Sequence, residues 1–226
     1  MKTHIIAMLD VPVSASLAND CIAAASANGI EASVWPAVNG LTDGAEKLAR
    51  YKIGPFLADK KWQRPGVIGC FLSHFELWAE CVTNNEPLCI LEHDGCFVRP
   101  LPDLVTDQFT EILKLDPLSP RSQNYHALVE ASKLSAVSYS SLVATATGAA
   151  GKFTAGSYGY CVTPAAARKL IEYSQQVGFM PSDMMLGTEL LDIRVVTATI
   201  VRLHPFYNSS NLGAGSSTSN LKKFLS

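Results

Sequence analysis

The stretch Pro87-Leu88-Cys89-Ile90-Leu91-Glu92-His93-Asp94-Gly95 decides how this chain is read. Leu88 to Leu91 are four apolar residues in a row, with polar Asn84, Asn85 and Glu86 before them and Gly95 after. The run is too short for a helix and reads as a buried strand. It ends abruptly in Glu92, His93 and Asp94. Open α/β sheets place ligands beyond the carboxyl ends of their strands. Two carboxylates and an imidazole at such an end have the chemistry to hold a divalent metal against a phosphate. The plainer alternative is a strand-to-loop exit with solvated charges.

The flanking sequence supplies a sheet for that strand. Ile5 to Leu9 is an apolar strand candidate, Ser14 to Asn28 an Ala-rich helix followed by Gly29, and Glu31 to Trp35 a second strand. Ala favours the helix and Gly its end, so the three form a βαβ unit with parallel pairing. After the Asn39-Gly40 turn, a short helix is expected around Gly44 to Lys52. Arg50, Lys52, Lys60, Lys61 and Arg64 then form a basic cluster, either a solvated surface or a help to binding a phosphate-bearing ligand.

Phe71, Phe75, Trp78 and Val82 form one apolar stripe, which predicts a helix over 70–82. Gly66 and Gly69 then precede that helix, where backbone can approach an anion closely, and Ser73 and His74 fall in its first turn. Downstream, 104–113 is helical in pattern and 116–123 is a Pro/Ser loop. The region 125–143 lacks a clean period, and 145–151 is small and flexible. Ser157 to Val162 is a strand, and Thr163-Pro164 caps a helix from Ala165 to Tyr173. Ile193 to Leu203 is β-rich, and 208–220 is Ser, Gly and Asn.

Composition narrows the class. The 226 residues are 48% hydrophobic and 17% charged, which suits a globular α/β chain with a sizeable core. A net charge of −2 argues against a broad polyanion-binding surface. No secretory leader or bilayer-spanning run is recognisable, so a cytoplasmic setting is expected, with peripheral membrane association left open. The six cysteines, Cys21, Cys70, Cys81, Cys89, Cys96 and Cys161, make no C-x-x-C pair and read as small buried hydrophobes.

Several ordered motifs resemble glycosyltransferase family 25, the lipooligosaccharide galactosyltransferases and their collagen-modifying relatives. They are Ala37-Val38-Asn39-Gly40, Gly66-Val67-Ile68-Gly69-Cys70-Phe71-Leu72-Ser73-His74 and Ile90-Leu91-Glu92-His93-Asp94. Further on come Gly156-Ser157-Tyr158-Gly159-Tyr160, Thr163 to Leu170, Pro181-Ser182-Asp183-Met184-Met185-Leu186, and a Ser-bearing tail after His204-Pro205. The resemblance implies a GT-A-like (Rossmann-like) single domain over 1–207 with a mixed, mainly parallel sheet, and the Ser/Gly-rich composition beyond it predicts a flexible tail over 208–226. It also implies inverting transfer of a hexose, galactose or glucose, from a UDP-sugar to a hydroxyl, as in lipopolysaccharide biosynthesis. Two departures stand out. The family's triplet is usually Glu-Asp-Asp, and its Arg-rich loop after the first strand is replaced here by Asp10 to Ser14.

Such a transfer needs the leaving diphosphate neutralised and a base for the acceptor hydroxyl. Asp94 is the first choice for metal, Mn2+ or Mg2+. Glu92 is either a ligand or an acid fixing nearby backbone. His93 is either a ligand favouring manganese or a side chain pointing away; as a ligand it would give an acid limb near ~6.5. His204 is a further candidate ligand. Asp183 is the candidate base, or else the N-cap of a helix starting at Met184, with Glu189 the fallback. Gly69, Ser73, His74 and Asn39 are candidate donor contacts. The alternatives are a non-catalytic nucleotide-sugar or glycan-binding module and a hydrolase built on His74, His93 and Asp94. The acceptor stays open between lipid-linked glycan, protein and modified nucleic acid.

Overall fold

In the computed structural model of the chain, β3 (Leu88–Glu92) is a buried strand whose first four residues are fully enclosed. The structure describes residues 1–55, 60–101, 111–116, 136–138, 156–196 and 199–204. The expected βαβ unit comprises β1 (Lys2–Ala7), α1 (Pro12–Ala27) and β2 (Ala32–Pro36). β1 pairs parallel with β2 on one side and with β3 on the other. The sheet continues through β7 (Gly159–Val162), β5 (Ile112–Lys114), β8 (Ile193–Val196) and β6 (Ala136–Ser138), in the order β2-β1-β3-β7-β5-β8-β6. β7 is antiparallel to β3 and β5, β8 is parallel to β5, and β6 is antiparallel to β8. Five of these seven strands therefore point one way, and β7 and β6 oppose them. This is the mixed, mainly parallel α/β sheet expected from the sequence.

Two apolar layers cover the sheet. On one face α3 (Pro65–Asn84) and α4 (Pro164–Val177) pack Phe71, Phe75, Trp78, Ala166 and Leu170 against Leu88, Ile90, Tyr160 and Val162. On the other, α1 packs Ala18, Cys21 and Ala25 against Ile5, Cys89 and Leu91. That second layer also holds the ribbon of β4 (Gly95–Phe97) and β9 (Val201–Leu203). Thr163 caps α4 by accepting from the Ala166 N–H at 3.3 Å, with Pro164 in the first helical position. α2 is Gly44–Arg50, and a short α5, Ser182–Met185, follows Pro181. Among the described residues no helix is long and apolar enough to cross a membrane.

The structure departs from the sequence reading in three places. α3 starts at Pro65, after extended Arg64, so Gly66 and Gly69 lie inside the helix and Ser73 and His74 lie well past its first turn. Proline suits the first helical position, and close packing against the backbone of Val38 and Gly40 requires the glycine at 69. Ile112-Leu113 belong to strand β5 and not to a helix; 104–110 lie outside the described residues. The β-rich run 193–203 is two strands, β8 and β9, which join different sheets. The segments 117–123, 145–151, most of 125–143 and the tail 208–226 also lie outside the described residues.

Candidate active site

Glu92 closes β3 and receives two chains of hydrogen bonds. Trp78 Nε1 can only donate, and it donates to the Tyr160 hydroxyl at 2.9 Å. That hydroxyl is also hydrogen-bonded to His74 Nδ1 at 2.9 Å, and His74 Nε2 faces Glu92 Oε1 at 3.3 Å, where an ionised carboxylate can only accept. The second chain runs from the Cys70 thiol to Ser182 Oγ at 3.3 Å, from Ser182 to Ser157 Oγ at 2.6 Å, and from the Ser157 hydroxyl to Glu92 Oε1. Burial opposes ionisation of Glu92. The His74 ring and the Ser157 hydroxyl more than offset it, and the carboxyl sits below its usual range.

Asp94 is in the opposite situation. It follows β3 in the turn before β4, is 8% exposed, and its Oδ1 is buried without a hydrogen-bond partner. Burial, reinforced by the Glu92 charge, pushes its carboxyl from 3.8 up to about 7. The backbone of the turn is well held. The Asp94 carbonyl accepts from the His204 N–H at 2.7 Å, and the His93 carbonyl accepts from the Cys21 thiol at 3.2 Å. A Cβ on Gly95 would sit 2.2 Å from the Tyr158 carbonyl oxygen, so only glycine lets the turn lie this close to β7.

The remaining candidates fall into separate places. His93 is half-buried, and burial holds its ring below the ordinary 6.5 while Glu92 pulls the other way. The His204 ring lies 3.5 Å from Asp20 Oδ2 on α1. Ser73 accepts from the Val38 N–H at 2.9 Å and donates to the Gly69 carbonyl at 2.7 Å. Gly69 itself abuts the loop before α2, since a Cβ there would lie 2.5 Å from the Val38 carbonyl oxygen. Asn39 Oδ1 accepts from the Leu41 N–H at 3.0 Å, closing the turn. Gly69 and Ser73 therefore join α3 to the β2–α2 loop, which Asn39 closes on itself, and the expected anion contact at a helix start does not describe Ser73 or His74. Asp183 lies in the first turn of α5 and does not cap it; its Oδ2 accepts from the Gly156 N–H at 3.3 Å. Glu189 is exposed.

The described residues bring Cys70, His74 and Glu92 within 4.8 Å of one another. These atoms are already committed to the two donor chains, so the cluster is a hydrogen-bonded anchor for Glu92. Neither the triplet nor the set His74, His93 and Asp94 converges in that way among the described residues. The group that fits a divalent cation is Asp94: a buried oxygen without a partner, beside a second acid, is short of positive charge. Magnesium and manganese sites of this kind use one or two carboxylates, with water and phosphate completing the shell.

Lys114 and Asp116 escaped the sequence reading. Lys114 ends β5 with its side chain fully buried, donating to the Gly156 carbonyl at 2.6 Å and lying 3.7 Å from Asp116 Oδ1. Tyr158 donates to Asp116 Oδ2. A signal was present: the lysine interrupts the apolar run Ile112 to Leu115, and a charge inside a buried strand needs partners.

Comparison with known proteins bears on the family. A protein-family model, Glycosyltransferase family 25 (LPS biosynthesis protein), matches residues 24–186. A "Glycosyltransferase 25 family member" from Aedes aegypti is 39% identical over 72 residues, 29% of this chain and 12% of that protein. The matched stretch is thus a small part of that relative's length. Mouse xyloside xylosyltransferase 1 in its apo form aligns over 81% of this chain and 66% of its own, at 10% identity and a TM-score of 0.29, too distant to bear on the fold. The family model spans well over half of the chain, from α1 through β3 to α5, and the chain belongs to glycosyltransferase family 25.

Proposed function

We propose that the protein transfers a hexose, galactose or glucose, from a UDP-sugar to an acceptor hydroxyl with inversion, in a cytoplasmic setting. The observation that carries this reading is the Asp94 oxygen, buried and unpartnered at the end of β3 beside an ionised Glu92, in a family 25 chain. Asp94 would hold a divalent cation, Mn2+ before Mg2+, whose chemistry is to offset the charge of the leaving diphosphate. Glu92, fixed by the His74 and Ser157 donors, keeps a second negative charge at a defined place beside that site. His93 is best read as neutral, because burial disfavours its charged form.

Asp183 is the proposed base. Its Oδ2 is taken by the Gly156 N–H, so Oδ1 is the atom assigned to receive the acceptor hydroxyl's proton. Met185 and Leu186 anchor the segment at 1% and 0% exposure, which suits a group that must hold its orientation. A screen of UDP- and GDP-hexoses against glycan and small hydroxyl acceptors, with and without manganese, tests the reading. Manganese-dependent transfer giving a product of inverted anomeric configuration supports it. Tight nucleotide-sugar binding without turnover would instead make the chain a binding module.

A further inference from the structure

Burying a lysine in the middle of a sheet is costly, and a buried ion pair is weak evidence for stability, since an apolar residue of similar size commonly serves better. Lys114 bears that cost. Burial draws its pKa below the ordinary range, against the pull of Asp116, Asp183 and Glu92. Those carboxylates include Asp183 and Glu92, two of the three acids assigned above to the active site. The lysine also has a directed contact toward them. Its Nζ donates to the Gly156 carbonyl at 2.6 Å, and the Gly156 N–H donates to Asp183 Oδ2 at 3.3 Å.

Gly156 is suited to carry such a link. Its φ is +72°, and a Cβ there would meet the Tyr158 ring at 3.1 Å. With no side chain and a left-handed backbone, its orientation depends on what grips its two peptide groups. Lys114 grips the carbonyl side and Asp183 the amide side. Asp116 holds the lysine, and Tyr158 in turn holds Asp116.

We propose that Lys114 is a positioning residue for Asp183, acting through Gly156. The proposal rests on the reading of Asp183 as base, but its geometry can be tested without turnover. Lys114→Met keeps length and apolar bulk and removes the donor; Lys114→Gln keeps an N–H donor and removes the charge. In Lys114→Met we expect kcat to fall by ~10²-fold, the order that small misplacements of reacting groups cost, with donor KM within about twofold of wild type. Amide exchange at Gly156 should be faster by about tenfold or more. Lys114→Gln should retain more of the Gly156 protection than Lys114→Met. Wild-type kcat with wild-type Gly156 exchange in Lys114→Met would overturn the proposal, and so would a donor KM that rises in step with the loss of kcat. If Lys114→Met does not fold, Lys114→Gln decides by the same two readouts. Should the wild-type chain transfer no sugar, the function proposed above fails, while Gly156 exchange still decides whether Lys114 orders the Asp183 contact.

Discussion

Moving the Asp94 carboxyl from 3.8 to about 7 corresponds to on the order of 4 kcal/mol between its two protonation states. The shift is upward, so the stability it contributes is complete below the unfolded-state value and is lost as pH rises through about 7. Asp94→Asn, which cannot ionise, should therefore melt higher than wild type above pH 7, and the difference should vanish on acidification below 3.8. Manganese should raise the melting temperature of wild type and not of Asp94→Asn. Because cation and proton compete for one carboxylate, that rise should fade as pH falls below about 7. Thermal melts across pH, with and without manganese, check all three outcomes. The same group revises the expectation for His93. Burial favours the neutral ring, so Asp94 takes up a proton before His93 does. His93→Asp should improve magnesium-supported transfer, as a harder ligand would, while the acid limb stays near 7. Rate against pH and metal for both proteins checks this, and a flattened limb would return the titration to His93.

Two glycines in α3 show how one helix carries two different constraints. Gly66 has nothing within 4 Å of where a Cβ would stand, whereas a Cβ on Gly69 would meet the backbone of Val38 and Gly40 at 2.5 and 2.9 Å. Gly66→Ala should be neutral or stabilising by up to about 1 kcal/mol, because alanine is the better helix former. Gly69→Ala should destabilise by about 1–3 kcal/mol, since a backbone contact must open. Urea denaturation of both variants separates the two cases. The stripe Phe71, Phe75, Trp78 was legible because its period matches a helix, but the helix start was not. Glycine in a sequence signals a break, and only the loop crossing at Gly69 shows that close packing selected it. The donor chains behind Glu92 were hidden for a similar reason. Tyr160, Ser157 and Ser182 lie far from Glu92 in the chain, and no spacing rule links them.

The order of elements from β1 through α3 to β3 could be read directly, because each carries its own period and its own punctuation. So could the acidic end of β3. Strand β5 could not be read, since three residues ending in a lysine carry no alternation. The sheet nonetheless sets β5 beside β7 and so places Lys114 near the segment that bears Gly156 and, across from it, Asp183. The site thus draws on turns and helices that are separate in sequence and meet only at one end of the sheet. The claim on which the functional reading depends is that this end supports sugar transfer through Asp94. The direct measurement is the initial rate of hexose transfer from UDP-hexose donors in manganese, for wild type and for Asp94→Asn, both shown to be folded. Manganese-dependent transfer by wild type and a loss of ~10²-fold or more in Asp94→Asn is the predicted result. Transfer that survives in Asp94→Asn, or that is unchanged in wild type by excess chelator, would contradict it.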